Sequence, residues 1–119
     1  MKTFRQILEA IKRSQKYNTY YHVTPSHNVK NIMKVGLIPQ VGPSSSKLNE
    51  KRGIHLFKDE VSAEDAVTNW MGDEYPENTK LSMLKVRLPK THPLHYDNFA
   101  HVSHIAINAN NIRVHRENI

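Results

Sequence analysis

The stretch from Tyr20 to Leu37 constrains the fold more than any other, because it reads as a strand running directly into a short helix. Thr19, Tyr20, Tyr21 and Val23 are β-branched or aromatic residues that suit a pleated, half-buried surface. Thr24 is a favourable N-cap, and Pro25 suits the first helical position, where its missing N–H would have no partner anyway. Val29, Ile32 and Met33 recur at helical spacing, and Gly36 predicts the left-handed residue that ends the helix. His22 is thereby expected at a strand end beside a helix N-terminus, whose free N–H groups attract anions. A phosphate or a ribose suits such a place.

Length and charge bound the alternatives. A chain of 119 residues is one domain with a single modest core. The absence of Cys fits a reducing compartment and excludes disulfides, thiolate chemistry and Cys-based zinc sites. No apolar run approaches a membrane span or a secretory signal core, so no membrane partner and a cytoplasmic setting are expected. A formal charge of +6 together with eight His favours anionic partners, nucleic acid or nucleotides.

Residues 3 to about 14 predict an amphipathic helix, within a segment 1–16 that precedes a single domain at 17–119. Thr3 and Gln6 have capping-box spacing, and Phe4, Ile7, Leu8 and Ile11 form one apolar stripe. The stripe is expected to pack on the domain. Docking to a protein partner is the rival reading, since Lys12, Arg13 and Lys16 crowd the helix end. Residues 37–47 read as a loop. A second strand follows at Gly53–Phe57, with Ile54 and Leu56 on one face and His55 and Phe57 on the other. Ser62 is expected to cap a third helix with Asp65 in the capping-box position. Its buried stripe would be Ala63, Ala66, Val67, Trp70 and Met71, and Gly72 would close it. Leu81 to Leu88 is a strand with Leu84, Val86 and Leu88 inward, stopped by Pro89. Another strand is expected from Phe99 to Ile107, then a turn at Asn108–Asn111 and a short last strand at Ile112–Val114. The class is α+β.

Eight His without Cys raise the question of a metal. His92-x-x-His95 and His101-x-x-His104 have equal spacing, but on a strand His101 and His104 point to opposite faces and would not share one ion. No metal is expected. A different pairing, His22-Val23-Thr24 with His101-Val102-Ser103, resembles the two-histidine phosphoesterases. In those enzymes one His is general base and the other general acid, with the hydroxyls holding phosphate oxygens.

A longer resemblance competes. His22-Val23-Thr24, Asn28-Val29, Ile32-Met33 and Gly36-Leu37, followed by Arg52-Gly53-Ile54-His55-Leu56-Phe57 and the helix with Ala63 and Ala66, together resemble the ADP-ribosyltransferase fold over about residues 19–112. The first half is similar to toxin-type enzymes that modify DNA bases. The second motif is similar to RNA 2′-phosphotransferases, the branch that carries His where others carry Tyr. The opening Met1-Lys2-Thr3-Phe4 is also similar to the start of many small bacteriophage proteins, which would place the chain in a host cytoplasm.

This resemblance implies a small split β-sheet core with flanking helices, NAD as substrate, and a nucleic-acid or phosphate-bearing acceptor. It implies that His22 bonds the adenosine-side ribose and that the main chain of Val23, where many relatives have Gly, holds the nicotinamide amide. Thr24 and Asn28 would line the nucleotide, and His55 would sit against the nicotinamide ribose. Arg52 would meet a pyrophosphate or an acceptor phosphate, which suits its delocalised fork. Catalysis would fall to His22, His55 and Arg52. Transferases onto proteins and bases carry a Glu on a late strand, and that slot falls here at Ala100 or His101. The lack of an acid there fits the histidine–histidine branch, whose acceptor is itself an anionic phosphate. A non-catalytic nucleotide-binding protein of the same fold is the remaining reading.

Overall fold

The structure, a computed structural model, describes residues 3–7, 16–39, 53–69, 75–97 and 100–119. Strand β1 (Tyr17–Pro25) leads through a 3-10 turn (Ser26–Asn28) into helix α1 (Val29–Val35). Strand β2 (Ile54–Leu56), helix α2 (Glu60–Asn69) and strand β3 (Leu81–Pro89) follow. Strands β4 (His95–Asp97) and β5 (Ala100–Ser103), a 3-10 turn (Ala109–Asn111) and strand β6 (Ile112–Arg116) complete the chain. The α+β class is as expected. The described strands form two antiparallel sheets, ordered β1-β3-β6 and β2-β5-β4. A single bridge between Tyr21 and Phe57 ties β1 to the end of β2.

Alternation along β1 and β3 separates two apolar clusters. Leu84, Val86 and Leu88 pack with Ile54, Leu56, Ile32, Leu37, Ile107 and Ile112, with Tyr20 against them. The opposite face carries Val23, Leu81 and Met83, which meet Phe57, Ala63, Ala66 and Ala100. The N-terminal half of β3, Leu81 to Leu84, is therefore buried on both faces, with the buried Ser82 among its apolar residues. Gly36 ends α1 at φ +87°. A Cβ there would collide with the carbonyl oxygen of Ile107, whose backbone exchanges two hydrogen bonds of 2.9 Å with Leu37. No helix among the described residues is long and apolar enough to cross a membrane.

Several local expectations are corrected. Thr24 and Pro25 do not start a helix: they are the last residues of β1, paired with Ser82 and Leu81. Pairing overrides the cap signal, and the Ser26 N–H donates to Lys80 C=O at 2.7 Å. Helix α2 starts two residues before Ser62, because the Asp59 carboxylate accepts the Ser62 N–H at 2.7 Å. Trp70, Met71 and Gly72 lie outside the described residues, as do most of the 37–47 loop and Phe99. The strand expected over 99–107 stops at Ser103, whose hydroxyl donates to Ile105 C=O at 2.8 Å and bends the chain. Its hairpin partner β4 was not expected. The last strand extends to Arg116, which reaches Glu60 at 3.0 Å and also binds Glu64.

The capping box of the N-terminal helix does form. The Thr3 N–H donates to Gln6 Oε1 at 2.9 Å and the Gln6 N–H to Thr3 Oγ1 at 3.2 Å. Of its apolar stripe, Phe4 is 76% and Ile7 45% exposed. Leu8 and Ile11 lie outside the described residues.

Candidate functional site

The place where β1 and β2 part is the chemically unusual part of the fold. Tyr21 and Phe57 exchange two backbone hydrogen bonds, of 2.8 and 2.7 Å. In an antiparallel ladder the next pair to do so would be two residues along each strand, Val23 with His55. That pair does not form, since the Tyr21–Phe57 bridge is isolated. Instead the His22 imidazole, from Nδ1, bonds the His55 carbonyl at 2.8 Å. The side chain has taken the acceptor that the Val23 N–H would otherwise use.

This contact fixes the chemistry of His22. A carbonyl only accepts, so Nδ1 carries the proton, and in the neutral ring Nε2 keeps its lone pair. Burial pushes the His22 pKa below the usual histidine range. The hydrogen bond to His55 pulls it back part of the way, and the neighbouring His55 imidazole depresses it further. His22 therefore sits neutral at neutral pH, with one nitrogen committed and the other a base. His55 is half-buried next to it.

Val23 contributes through its main chain. Its side chain is 2% exposed in the second apolar cluster. Alternation turns its N–H and C=O to the same edge of β1 as those of Tyr21, toward the gap. The gap thus gathers a neutral imidazole, a second imidazole, and one main-chain donor with one acceptor.

Of the expected site residues, the structure brings together His22, Val23 and His55. Thr24 shares the His22 face of β1 but is 5% exposed, so its hydroxyl has little surface for a nucleotide. Asn28 is exposed on the 3-10 turn after β1 and makes no capping bond. Arg52 lies outside the described residues. The expected juxtaposition of His22 with a helix N-terminus does not form, because three strand residues and a 3-10 turn separate it from Val29.

The second histidine motif is arranged differently. His101 is flanked by two tyrosine rings, Tyr20 at 5.4 Å and Tyr96 at 5.1 Å between centroids. Ser103 is fully buried. Because its hydroxyl donates to Ile105, it accepts from His92 Nε2 at 2.8 Å, and burial lowers the His92 pKa. Neither Thr24 nor Ser103 presents a free hydroxyl to a phosphate. The rings of His95 and His104 lie 6.4 Å apart, and no group of three metal-ligating side chains occurs among the described residues. The tyrosines beside His101 and the His92–Ser103 bond were missed at the sequence level. The period-2 spacing of Tyr20 and His22 put Tyr20 on the His22 face of β1, and nothing local signalled Tyr96 or the His92–Ser103 bond.

Compared with known proteins, the chain matches no family model, no curated protein and no solved structure.

Proposed function

We propose that the gap between β1 and β2 binds NAD and that the protein, an ADP-ribosyltransferase-like split sheet, transfers ADP-ribose to a phosphate-bearing acceptor. The observation that carries this reading is the His22 Nδ1 contact to the His55 carbonyl, which leaves the Val23 N–H and C=O facing the gap. A donor and an acceptor side by side on one strand edge complement a primary carboxamide, whose oxygen accepts and whose NH₂ donates. The nicotinamide amide is such a group. Nε2 of neutral His22 accepts from a ribose hydroxyl, and His55 lies one strand away for the second ribose. Arg52 and Asn28 enter this scheme on the resemblance alone, as contacts to pyrophosphate or acceptor phosphate and to the nucleotide.

In the reaction an acceptor phosphate oxygen attacks the anomeric carbon of the nicotinamide ribose. The glycosidic C–N bond breaks, and its electron pair returns to the pyridinium nitrogen, neutralising it. An ionised phosphate has no proton to lose at this step. A carboxylate base at the Ala100 or His101 position is therefore unnecessary. The enclosed hydroxyls of Thr24 and Ser103 weigh against the phosphodiesterase alternative.

Nicotinamide release from NAD tests the reading. His55→Ala abolishes release, and His101→Ala leaves it largely intact. NAD also raises the melting temperature of wild type, because it binds only the folded state. An unchanged melting temperature at millimolar NAD counts against the reading. Stabilisation without release from wild type leaves the non-catalytic nucleotide-binding protein.

A further inference from the structure

Half of the β1-β3-β6 sheet has a solvent face that this scheme does not use. Thr19 and Tyr21 pair opposite Arg87 and Lys85, and Lys85 pairs onward with Arg113 of β6. Directly opposed residues share a face, so these side chains lie on the side of β1 away from His22. Near the end of β1 that face is closed over Val23 and Met83 by Phe57 and α2. Toward its start the face is open. Thr19, Lys85, Arg87 and Arg113 are exposed, and Tyr17 is 37% exposed.

Among the described residues the charges here have no salt-bridge partner. Lys85 and Arg113 stand side by side on strands about 5 Å apart, with Arg87 about 7 Å further along β3. Among the described residues none of the three is ion-paired, whereas Glu60 and Glu64 are held by His115 and Arg116. Like charges directly across a sheet destabilise it, and a polyanion removes that penalty. Aromatic chemistry accompanies the cations: the Arg87 guanidinium lies 4.8 Å over the Tyr17 ring.

The geometry points to this face as a binding surface for single-stranded nucleic acid, with phosphates on Lys85, Arg87 and Arg113 and a base stacked at Tyr17. A single strand offers both groups at once, and stacking on an aromatic ring is tolerant of sequence. A duplex hides its bases and offers the face only phosphate. The apolar side of the N-terminal helix, with Phe4 and Ile7, is a poor match for a cationic surface. The site stands apart from the gap at His22, and its occupancy does not depend on NAD chemistry.

Fluorescence anisotropy with labelled oligo-dT and oligo-rU of about 12 nucleotides, without NAD, tests the proposal. Binding of either supports it, and the two arms show which sugar is preferred. With three phosphate contacts, log K falls against log salt with a slope of about −2, at about 0.7 per contact on single strands. Lys85→Ala with Arg113→Ala brings the slope to about −0.7. Lys30→Ala with Lys34→Ala removes the same charge from the exposed side of α1 and leaves the slope near −2. Tyr17→Ala weakens binding about 5- to 150-fold. All variants are compared after circular dichroism shows native melting, and the exposed lysines and arginine are the changes least able to unfold the sheet. Equal loss in the two double variants, no loss in either, or absence of binding by wild type at low salt overturns the proposal. So does binding of a duplex, or of an acidic peptide of equal charge, as tight as that of the single strand.

Discussion

The neutral state of His22 has a measurable consequence for stability. In the unfolded chain an ordinary histidine takes up a proton below about pH 6.5. In the folded protein burial and the neighbouring His55 oppose that proton, so the folded pKa is lowered. Between the folded pKa and about 6.5 the unfolded state binds the extra proton, and stability falls as the pH falls through this window. The limiting slope for one such group is about 1.4 kcal/mol per pH unit. For a domain of this size 1 kcal/mol corresponds to about 4 °C in melting temperature, so the loss approaches about 5 °C per unit. His92 shifts in the same direction through burial alone and adds to the loss. The carboxylates of Asp59 and Glu60 are held low by hydrogen bonds to Ser62 and to His115 with Arg116. Their contribution is lost only at lower pH, as they protonate. Urea denaturation of wild type and His22→Asn, at steps from about pH 7 to about pH 5, isolates the histidine. The asparagine amide still donates toward His55 but does not titrate. The wild-type curve falls more steeply than the variant's; parallel curves refute a neutral His22, and with it the lone pair assigned to the ribose.

Three other perturbations test the frame around the site. Gly36→Ala costs more than about 2 kcal/mol, from positive φ and the collision with the Ile107 carbonyl; an unchanged urea midpoint contradicts the α1 terminus described here. Ser103→Ala leaves the His92 N–H and the Ile105 carbonyl short of a partner and costs about 1–3 kcal/mol. Nicotinamide release per folded molecule stays the same, and its loss in a folded variant returns Ser103 to a catalytic role. In hydrogen exchange by NMR, the Tyr21 amide is protected in the free protein, while the Val23 amide gains protection on adding NAD; equal protection of both before ligand shows that β1 and β2 pair further than the single bridge.

The elements were legible where one signal dominated. Val29, Ile32 and Gly36 marked α1 and its end, and Leu84, Val86 and Leu88 marked the inward face of β3. Element boundaries failed where tertiary pairing outcompeted a local signal. Thr24-Pro25 is a good helix start in isolation, yet two more ladder pairs with Ser82 and Leu81 keep both residues in the strand. Asp59 outcompetes Ser62 because a carboxylate accepts the free N–H of the first turn more strongly than a hydroxyl does. Strand β4 is three residues long, follows Pro93 and carries two exposed polar or aromatic residues, so no periodicity was available to find it. For the site, the residue types at His22 and His55 were visible, but their relation was not. A carbonyl accepting a side-chain bond across 33 positions leaves no trace in local sequence.

That relation also explains how the sheet is kept split. Two strands with apolar faces and a bridge already made would gain by extending the ladder, since each further pair satisfies a donor and an acceptor. At Val23 and His55 the ladder stops, and the His55 carbonyl accepts from the His22 imidazole instead. A non-donating side chain at position 22 would leave the His55 carbonyl free for the Val23 N–H. Histidine meets both needs at once: Nδ1 holds the strands apart, and Nε2, on the other side of the same ring, remains a base.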